Sequence, residues 1–215
     1  MSSHHFVKDG QEPALIIANG ESCAYTLLTS LLEWCPLVVV CDGAYQRVID
    51  LQINPDVVIG DFDSITDFEK KINTTYIKDE NQENTDLEKA IEYLIEKGVS
   101  DINIVWATGR RLDHTLNNMA ILAKYADLNI VLYDDLSKAH VLQKSFTKYY
   151  AKDTKISLIP LPSAHGITTQ NLEYSLTNED LTWGQKSGTS NHVKENGEVK
   201  ITYKTGVLAL IESVD

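Results

Sequence analysis

The chain has 215 residues, a formal net charge of −12 and 43% hydrophobic residues. The apolar fraction suffices for one large domain or two small ones and excludes wholesale disorder. The acidic balance argues against broad binding to nucleic acid or to an anionic membrane surface, so we predict neither as a partner.

Five short apolar runs in the first two-thirds of the chain predict buried strands. Several of them are apolar on both faces, which is typical of a parallel sheet covered by helices. The predicted strands are residues 14–19, 37–41, 57–60, 102–107 and 128–133.

Helical patterns separate these strands. Leucines recur at helical spacing over residues 27–32, and residues 44–51 predict a second, short helix. Thr85-Asp86-Leu87-Glu88 is a capping box that begins a third helix, which Gly98 ends. The predicted apolar stripe of this third helix is Leu87, Ala90, Ile91, Leu94 and Ile95.

A fourth helix follows the strand that ends at Ala107. Asp113 is its predicted N-cap. The predicted inward-facing residues are Leu116, Ala120 and Ala123.

From about Ala139 the segments become short and rich in Thr, Ser, Tyr and Val, which predicts an all-β unit. Asn196-Gly197 predicts a type I′ hairpin turn. The candidate strands are residues 156–159, 166–169, 189–194, 199–203 and 207–211. We therefore predict an α/β fold with an N-terminal doubly wound, mostly parallel sheet over 1–140, followed by a small all-β sandwich or barrel over 141–215.

The most informative motif is Gly60-Asp61-Phe62-Asp63-Ser64, at the end of a predicted buried strand. Alternate strand residues point to the same side, so Asp61 and Asp63 can face one point. Open α/β sheets bind ligands at the carboxyl ends of their strands, and paired carboxylates there suit Mg²⁺ that also carries phosphates. A polar exit from a strand is the alternative for the motif taken alone.

Two other polar clusters fall at predicted element ends. Asp42-Gly43-Ala44 follows a strand, where the small residues allow a ligand to approach, although a structural turn is an equal alternative. Gln82 precedes the capping box, and Asp86 lies in the first helical turn. The helix dipole favours a carboxylate at this position in any case, and a third metal-site carboxylate is the functional alternative.

Residues 108–114 form a plausible phosphate or nucleotide loop at the start of a helix. The loop offers small residues, a helix N-terminus and guanidinium donors. Asn117 and Asn118, one turn later, are candidates for contact with a ribose or base. In the β-rich part, Tyr174 and Trp183 either stack on a flat heterocycle or pack in the core.

The order of these motifs resembles the thiamine pyrophosphokinase family over nearly the whole chain. The resemblance rests on several motifs: Asp42-Gly43-Ala44, Gly60-Asp61-Phe62-Asp63-Ser64, Gln82-x-x-Thr85-Asp86-x-x-Lys89-Ala90, Gly109-x-Arg111-x-Asp113-His114-x-x-Asn117 and Thr189-Ser190-Asn191. It implies a homodimer that moves a pyrophosphoryl group from ATP to thiamine and releases AMP, with Mg²⁺ as cofactor.

The resemblance also implies a role for individual residues. Catalysis would involve Asp42, Asp61, Asp63, Asp86 and Arg111, of which Asp61, Asp63 and Asp86 would hold the metal. The ATP side would comprise Gly43, Thr108, Gly109, Arg111, Asp113, His114 and Asn117. The thiamine side would comprise Gln82, Ser190 and Asn191. Either Asp42 or Asp86 would accept the proton of the thiamine hydroxyl.

The chain departs from the family at one position. The family usually has Gly-Gly-Arg where this chain has Gly109-Arg110-Arg111. Arg110 adds bulk and charge, and it either alters the nucleotide loop or points to solvent.

Two other functions remain open on the sequence. One is another Mg²⁺-dependent phosphotransferase or phosphohydrolase on a similar sheet, and the other is a non-catalytic nucleotide- and metal-binding sensor. The three cysteines show no CxxC spacing, no apolar run approaches about 18 residues, and the N-terminus lacks a signal-peptide pattern. These features predict a cytoplasmic protein with reduced thiols.

Overall fold

The computed structural model describes residues 12–63 and 71–214. Their contacts divide into two compact units. The first unit runs to Asn118 and also contains Leu128–Asp135, and the second contains Met119–Asp127 and the chain from Leu136 onwards. The domain boundary predicted at residue 140 stays a prediction.

The first unit is built on a parallel sheet of six strands. The strands are β1 (Ala14–Ile17), β2 (Val38–Cys41), β3 (Val57–Gly60), β4 (Thr75–Lys78), β5 (Asp101–Val105) and β6 (Asn129–Tyr133). Their spatial order is β4-β3-β2-β1-β5-β6, so the direction of winding reverses between β1 and β5. The predicted parallel α/β sheet is confirmed, whereas the double winding stays a prediction.

Strand β4 was absent from the sequence prediction because its pattern is weak. Among the residues described above, it lies at the edge of the sheet and pairs only with β3, and it has no fully buried residue. A half-exposed edge strand needs no apolar run, so hydrophobic periodicity gives no signal for it. Residues 64–70, which include Ser64 of the acidic motif, lie outside the described residues.

In the part of the chain that the structure describes, four α-helices accompany the strands: α1 (Tyr25–Leu32), α2 (Tyr45–Asp50), α3 (Asp86–Glu96) and α4 (Leu112–Lys124). The capping box of α3 is confirmed. Thr85 Oγ1 accepts from the Glu88 amide at 3.4 Å, and the Glu88 carboxylate accepts from the Thr85 amide at 3.1 Å. Gly98 follows the helix with a φ of +77°. None of the helices in the described residues is long and apolar enough to cross a bilayer.

Two predicted helix faces differ from the structure. Ile95 of α3 is 41% exposed, so the apolar stripe of this helix ends at Leu94. The prediction of the inward face of α4 is wrong, because Leu116 and Ala120 are exposed whereas Ile121 and Leu122 are buried. The reason lies one turn earlier, where the buried Asn118 amide donates to the Ala107 carbonyl at 2.7 Å and sets the rotation of the helix.

The second unit consists mainly of antiparallel strands. They are β7 (Ser137–Val141), β8 (Ser145–Tyr150), β9 (Lys155–Gln170), β10 (Glu179–Thr182), β11 (Gly188–His192), β12 (Gly197–Thr202) and β13 (Thr205–Ser213). The 16-residue β9 pairs with β10, β11, β12 and β13 and is the centre of the unit. The predicted all-β character is confirmed.

Two details of this prediction are wrong. Residues 156–159 and 166–169 belong to the single strand β9, because the prolines between them interrupt the sequence pattern but not the strand. Asn196-Gly197 does not join β11 and β12 as a hairpin, since β11 pairs with β9 and β12 pairs with β8 and β9. The Asn196 side chain instead accepts from the Lys152 amide at 2.7 Å.

Each unit has its own apolar core. In the first, buried side chains of the sheet pack with α1 and α2 and include Leu15, Ile17, Leu28, Val40, Val48 and Trp106. In the second, they include Leu142, Ile156, Leu158, Leu181, Ile201 and Leu210.

Gly206 provides a test of the packing in the second unit. Its φ is +85°, and a Cβ there would lie 2.1 Å from the Ser163 carbonyl oxygen. We expect Gly206→Ala to lower the free energy of unfolding by about 3 kcal/mol or more, since left-handed strain and overpacking add. The measurement is chemical denaturation.

Gly184→Ala is the matched control. Gly184 has a similar φ of +77° but nothing within 4 Å of its would-be Cβ. Its substitution should therefore cost only the backbone strain, about 1 kcal/mol. Equal losses in the two variants would contradict the packing described at Gly206.

Candidate functional site

The first unit contains a cavity of about 460 Å³ at the carboxyl ends of its parallel strands. Its walls come from the segments that follow β1, β2, β3 and β5, and from the start of α3. This is where open α/β sheets bind ligands, at the point where the strand order reverses. The polar lining residues are Asn19, Asp61, Gln82, Glu83, Asn84, Thr85, Asp86, Lys89, Arg110, Arg111, His114 and Asn118.

Three carboxylates come together where β2 and β3 end. Asp42, Asp61 and Asp63 each place a carboxylate oxygen within 4.8 Å of the other two. The Phe62 amide donates to Asp42 Oδ2 at 2.7 Å, and the Asp63 amide donates to Asp61 Oδ1 at 3.1 Å. The backbone of the acidic motif therefore fixes two of the three carboxylates in place.

Gly60 allows this arrangement. A Cβ at Gly60 would lie 2.3 Å from Asp42 Cγ and within 2.7 Å of both carboxylate oxygens. A glycine at the end of β3 is therefore required for the Asp42 side chain to lie against the neighbouring strand.

The local electrostatics differ among the three carboxylates. Asp42 is only 4% exposed, and burial, with the charge of Asp86, raises its pKa to about 6. The amide of Asp63 lowers the pKa of Asp61, aided by a hydrogen bond from Gln82. The charge of Asp61 raises the pKa of Asp63. The cluster thus concentrates negative charge that a cation would relieve.

The donor set fits a hard divalent cation. Mg²⁺ binds oxygen ligands at about 2.1 Å, so two of its ligands lie at most about 4.2 Å apart. The observed limit of 4.8 Å is slightly wider, and small side-chain movements would close the difference. All three donors are carboxylates, the ligand type that Mg²⁺ prefers.

Asp86, predicted as the third metal ligand, lies outside this three-residue cluster but lines the cavity. It pairs with Lys89, whose ammonium donates to Asp86 Oδ1 at 3.4 Å and to the Asp79 carbonyl at 2.9 Å. Lys89 is 4% exposed. Gln82 Nε2 donates to Asp61 Oδ2 at 3.2 Å, which ties the segment before α3 to the acidic motif.

The structure places part of the predicted nucleotide loop in the cavity wall. Gly109, Arg111 and His114 line the cavity, whereas Thr108 and Asp113 do not. Arg111 forms an ion pair with Asp113, and this interaction lowers the pKa of Asp113 to about 2. Gly109 has a φ of +72°, and a Cβ there would lie 2.5 Å from Glu21 Cβ, so the loop needs glycine at this position.

Two other predicted residues of this unit, Gly43 and Asn117, do not line the cavity. Gly43 does not line the cavity, but a Cβ at this position would meet the Asn19 amide nitrogen at 2.1 Å. Asn117 is exposed, and the buried Asn118 occupies the wall in its place.

Ser190 and Asn191, the predicted thiamine residues of the second unit, have different environments. Ser190 is exposed with a φ of +57°, and its amide donates to Ser157 Oγ at 3.1 Å. Asn191 is buried, and its amide group exchanges hydrogen bonds of 2.8 and 3.0 Å with the backbone of Tyr174. Tyr174 and Trp183 are 67% and 52% exposed, so the core alternative for both rings is wrong.

Known protein families match the chain over both units. The family model described as "Thiamin pyrophosphokinase, catalytic domain" matches residues 28–133, and "Thiamin pyrophosphokinase, vitamin B1 binding domain" matches residues 140–208. Thiamine pyrophosphokinase 1 of Arabidopsis thaliana is 31% identical over 229 residues, which cover 91% of this chain and 84% of that protein. The chain belongs to the thiamine pyrophosphokinase family.

Other relatives extend this result. Thiamine pyrophosphokinase of Bacillus subtilis is 28% identical over 93% of this chain and 98% of its own length. The crystal structure of thiamin pyrophosphokinase from Geobacillus thermodenitrificans has a TM-score of 0.78 at 25% identity and covers 94% of this chain and 97% of that chain. The yeast enzyme shares the fold, with a TM-score of 0.80 at 17% identity, over 96% and 88% of the two chains.

Lys89 and Asn19 of this thiamine pyrophosphokinase family member line the cavity but were not among the site residues predicted from the sequence, and Asn118 was a candidate only together with Asn117. Lys89 lies one turn after Asp86 on α3, and this spacing was the available signal. Asn118 was noted beside Asn117, but the choice depended on the rotation of α4. Asn19 follows a short apolar strand and gave no signal of its own.

The raised pKa of Asp42 predicts a pH effect on the protein without metal. The folded state holds this proton more tightly than the unfolded state, so the stabilisation is present at acid pH and is lost as pH rises through about 6. Between pH 4.5 and 7.5 the loss should be about 2 kcal/mol. We expect Asp42→Asn to remove this loss, as measured by denaturation in chelator at both pH values.

Asp153→Asn is the control, because it removes an exposed carboxylate of the second unit. Its stability should follow that of the unchanged protein at both pH values. The same pH dependence in Asp42→Asn and in the unchanged protein would contradict the electrostatics described for the cluster.

Proposed function

We propose that this chain transfers a pyrophosphoryl group from ATP to the hydroxyethyl group of thiamine, forming thiamine pyrophosphate and releasing AMP. The observation that carries the proposal is the cluster of Asp42, Asp61 and Asp63 beside a cavity, in a chain that matches both domains of this family. Transfer of this kind depends mainly on alignment of the reactants and neutralisation of phosphate charge.

The carboxylates supply the site for Mg²⁺. Asp61 and Asp63 would hold it, with the third carboxylate from Asp42 of the same cluster or from Asp86 at the cavity wall. When bound, the ion offsets the negative charge of the phosphate oxygens. Among these groups Gln82 orients Asp61, and the Phe62 amide orients Asp42.

The other residues of the first unit act on the two substrates. Gly109, Arg111 and His114 form the nucleotide side of the cavity, with Asn118 behind them. Asp42 and Asp86 are the two candidates for accepting the proton of the thiamine hydroxyl. Asp86 is the one of the two that lines the cavity, which favours it for this role.

We assign thiamine contacts to Gln82, Ser190 and Asn191. The Asn191 amide group also exchanges hydrogen bonds with the backbone of Tyr174, which fixes the chain that carries the exposed Tyr174 ring. We further propose a nucleotide-binding domain over 1–140, a thiamine-binding domain over 141–215, and a homodimer in the cytoplasm. The free thiols of Cys23, Cys35 and Cys41 fit a reducing compartment.

The proposal is tested by a product assay with ATP, Mg²⁺ and thiamine, each omitted in turn. Equal amounts of thiamine pyrophosphate and AMP, formed only when all three are present, are expected. ADP with thiamine monophosphate would replace the proposal by single-phosphoryl transfer. Binding of ATP without any product would favour the sensor alternative, and phosphate release without thiamine would favour a phosphohydrolase.

The acidic motif generates a second test. We expect Asp61→Asn and Asp63→Asn each to lower turnover by about 100-fold or more, because each removes a charge that acts on the reacting phosphates. Both carboxylates lie at a strand exit rather than in the core, so thermal unfolding should change little. Turnover is measured at saturating ATP and thiamine.

The exposed acid Asp153 again provides the control, and Asp153→Asn should keep normal turnover. Near-normal turnover in both acidic-motif variants would refute the role assigned to these carboxylates.

A further inference from the structure

Two guanidinium groups converge on one amide oxygen at the carboxyl end of β1. Asn19 Oδ1 accepts from Arg47 Nη2 at 2.9 Å and from Arg110 Nη1 at 3.3 Å. Asn19 and Arg110 line the cavity, and Arg47 does not. Arg110 and Asn19 are therefore both part of the cavity wall, and Arg47 contacts Asn19 without lining the cavity.

Arg47 is held firmly in this arrangement. Its guanidinium donates to the Gly20 carbonyl at 3.0 Å and to Ser22 Oγ at 2.9 Å, and it lies 4.6 Å from the centre of the Trp106 ring. Burial lowers the pKa of Arg47, and the nearby charge of Arg110 lowers it further. Arg110 therefore lies beside a fixed like charge and shares a neutral acceptor with it.

The cations that line the cavity differ in their partners. Lys89 is paired with Asp86, and Arg111 is paired with Asp113. Among the described residues Arg110 has no carboxylate at ion-pair distance, and its hydrogen bond to Asn19 is long. Of these lining cations, Arg110 would therefore lose the weakest existing interaction when it binds an incoming anion.

The backbone conformation of Arg110 is also unusual for a residue with a side chain. Its φ is +53°, a left-handed conformation that costs a non-glycine residue free energy. A glycine adopts the same conformation without that cost. Residues held in strained conformations cluster at active sites and ligand-binding sites. The strain at Arg110 therefore agrees with a role for its side chain in the cavity.

We propose that Arg110 binds the phosphate chain of the nucleotide, with Asn19 and Arg47 orienting it, and so increases the preference of the site for ATP over AMP. This inference rests on the proposed function, because it assigns the nucleotide to the same cavity. A guanidinium fork matches phosphate oxygens in geometry and charge. The carboxylate cluster attracts metal, whereas Arg110 supplies positive charge from the protein itself.

The test compares Arg110→Gly with the unchanged protein by calorimetric titration of ATP, ADP, AMP and adenosine in magnesium buffer without thiamine. We expect ATP binding to weaken about 10- to 30-fold, since a charge-assisted hydrogen bond is lost. AMP binding should weaken about threefold or less, and adenosine binding should not change. The melting temperature should rise, because glycine relieves the left-handed strain.

Two further variants sharpen the result. Arg110→Lys keeps the charge but loses the fork, and we expect an intermediate loss of ATP affinity. Lys152→Gln removes an exposed positive charge in the second unit and should leave every affinity unchanged. In steady-state kinetics, Arg110→Gly should raise the KM for ATP while the KM for thiamine stays constant.

Unchanged ATP affinity in Arg110→Gly would overturn the inference, and so would an equal loss for ATP and adenosine, which indicates a merely structural role. These outcomes are separate from failure of the proposed function. If the unchanged protein makes no thiamine pyrophosphate and AMP, the proposed function fails, while the comparison of ATP with AMP still decides the role of Arg110.

Discussion

The close approach of the Asp42 side chain to the backbone of Gly60 is the constraint on which the site depends. The carboxyl ends of β2 and β3 lie side by side because the two strands pair in the sheet, and the Phe62 amide donates to the Asp42 carboxylate at 2.7 Å. Because Asp61 follows Gly60 directly and Asp63 lies two residues after Asp61, the ends of two strands bring three carboxylates together. A side chain at residue 60 would separate them.

The charges around the cavity follow from this assembly. The carboxylate cluster lies on one side, where burial already raises the pKa of Asp42. Lys89 is paired with Asp86 and Arg111 is paired with Asp113, whereas Arg110 shares the neutral acceptor Asn19 with Arg47. A polyphosphate that carries a bound metal ion would match this distribution of charge. The cation would bind the carboxylates, and the phosphate oxygens would accept hydrogen bonds from Arg110.

Much of the fold is predictable from the sequence because its signals are local. The capping box at Thr85 and the apolar strands that form the parallel sheet have patterns that depend on few distant contacts. The edge strand β4 and the inward face of α4 were not predicted correctly. Strand β4 buries no residue fully, and the rotation of α4 is set by the contact of Asn118 with a strand end eleven residues earlier.

The candidate site likewise contains some residues that the sequence identifies and others that only the structure places in the cavity wall. The acidic motif could be found because it places two carboxylates directly after a buried strand. In the structure β3 ends at Gly60 and Phe62 has a φ of +62°, so a turn rather than strand alternation brings Asp61 and Asp63 together. The participation of Asn19 and Lys89 in the cavity wall required the structure, and so did the choice of Asn118 over Asn117, since each side chain bonds to a residue of another element or loop. The conformation of Arg110 likewise depends on the loop geometry, and no pattern in the sequence specifies a positive φ for an arginine.

The most direct measurement is a crystal structure of the chain with Mn²⁺, a non-hydrolysable ATP analogue and thiamine, using the anomalous signal of manganese to locate the ion. The account predicts a peak bound by Asp61 and Asp63, with Asp42 or Asp86 adjacent and the phosphate chain extending toward Arg110. An ion bound away from the acidic motif, or a nucleotide outside the cavity at the carboxyl ends of the strands, would contradict it.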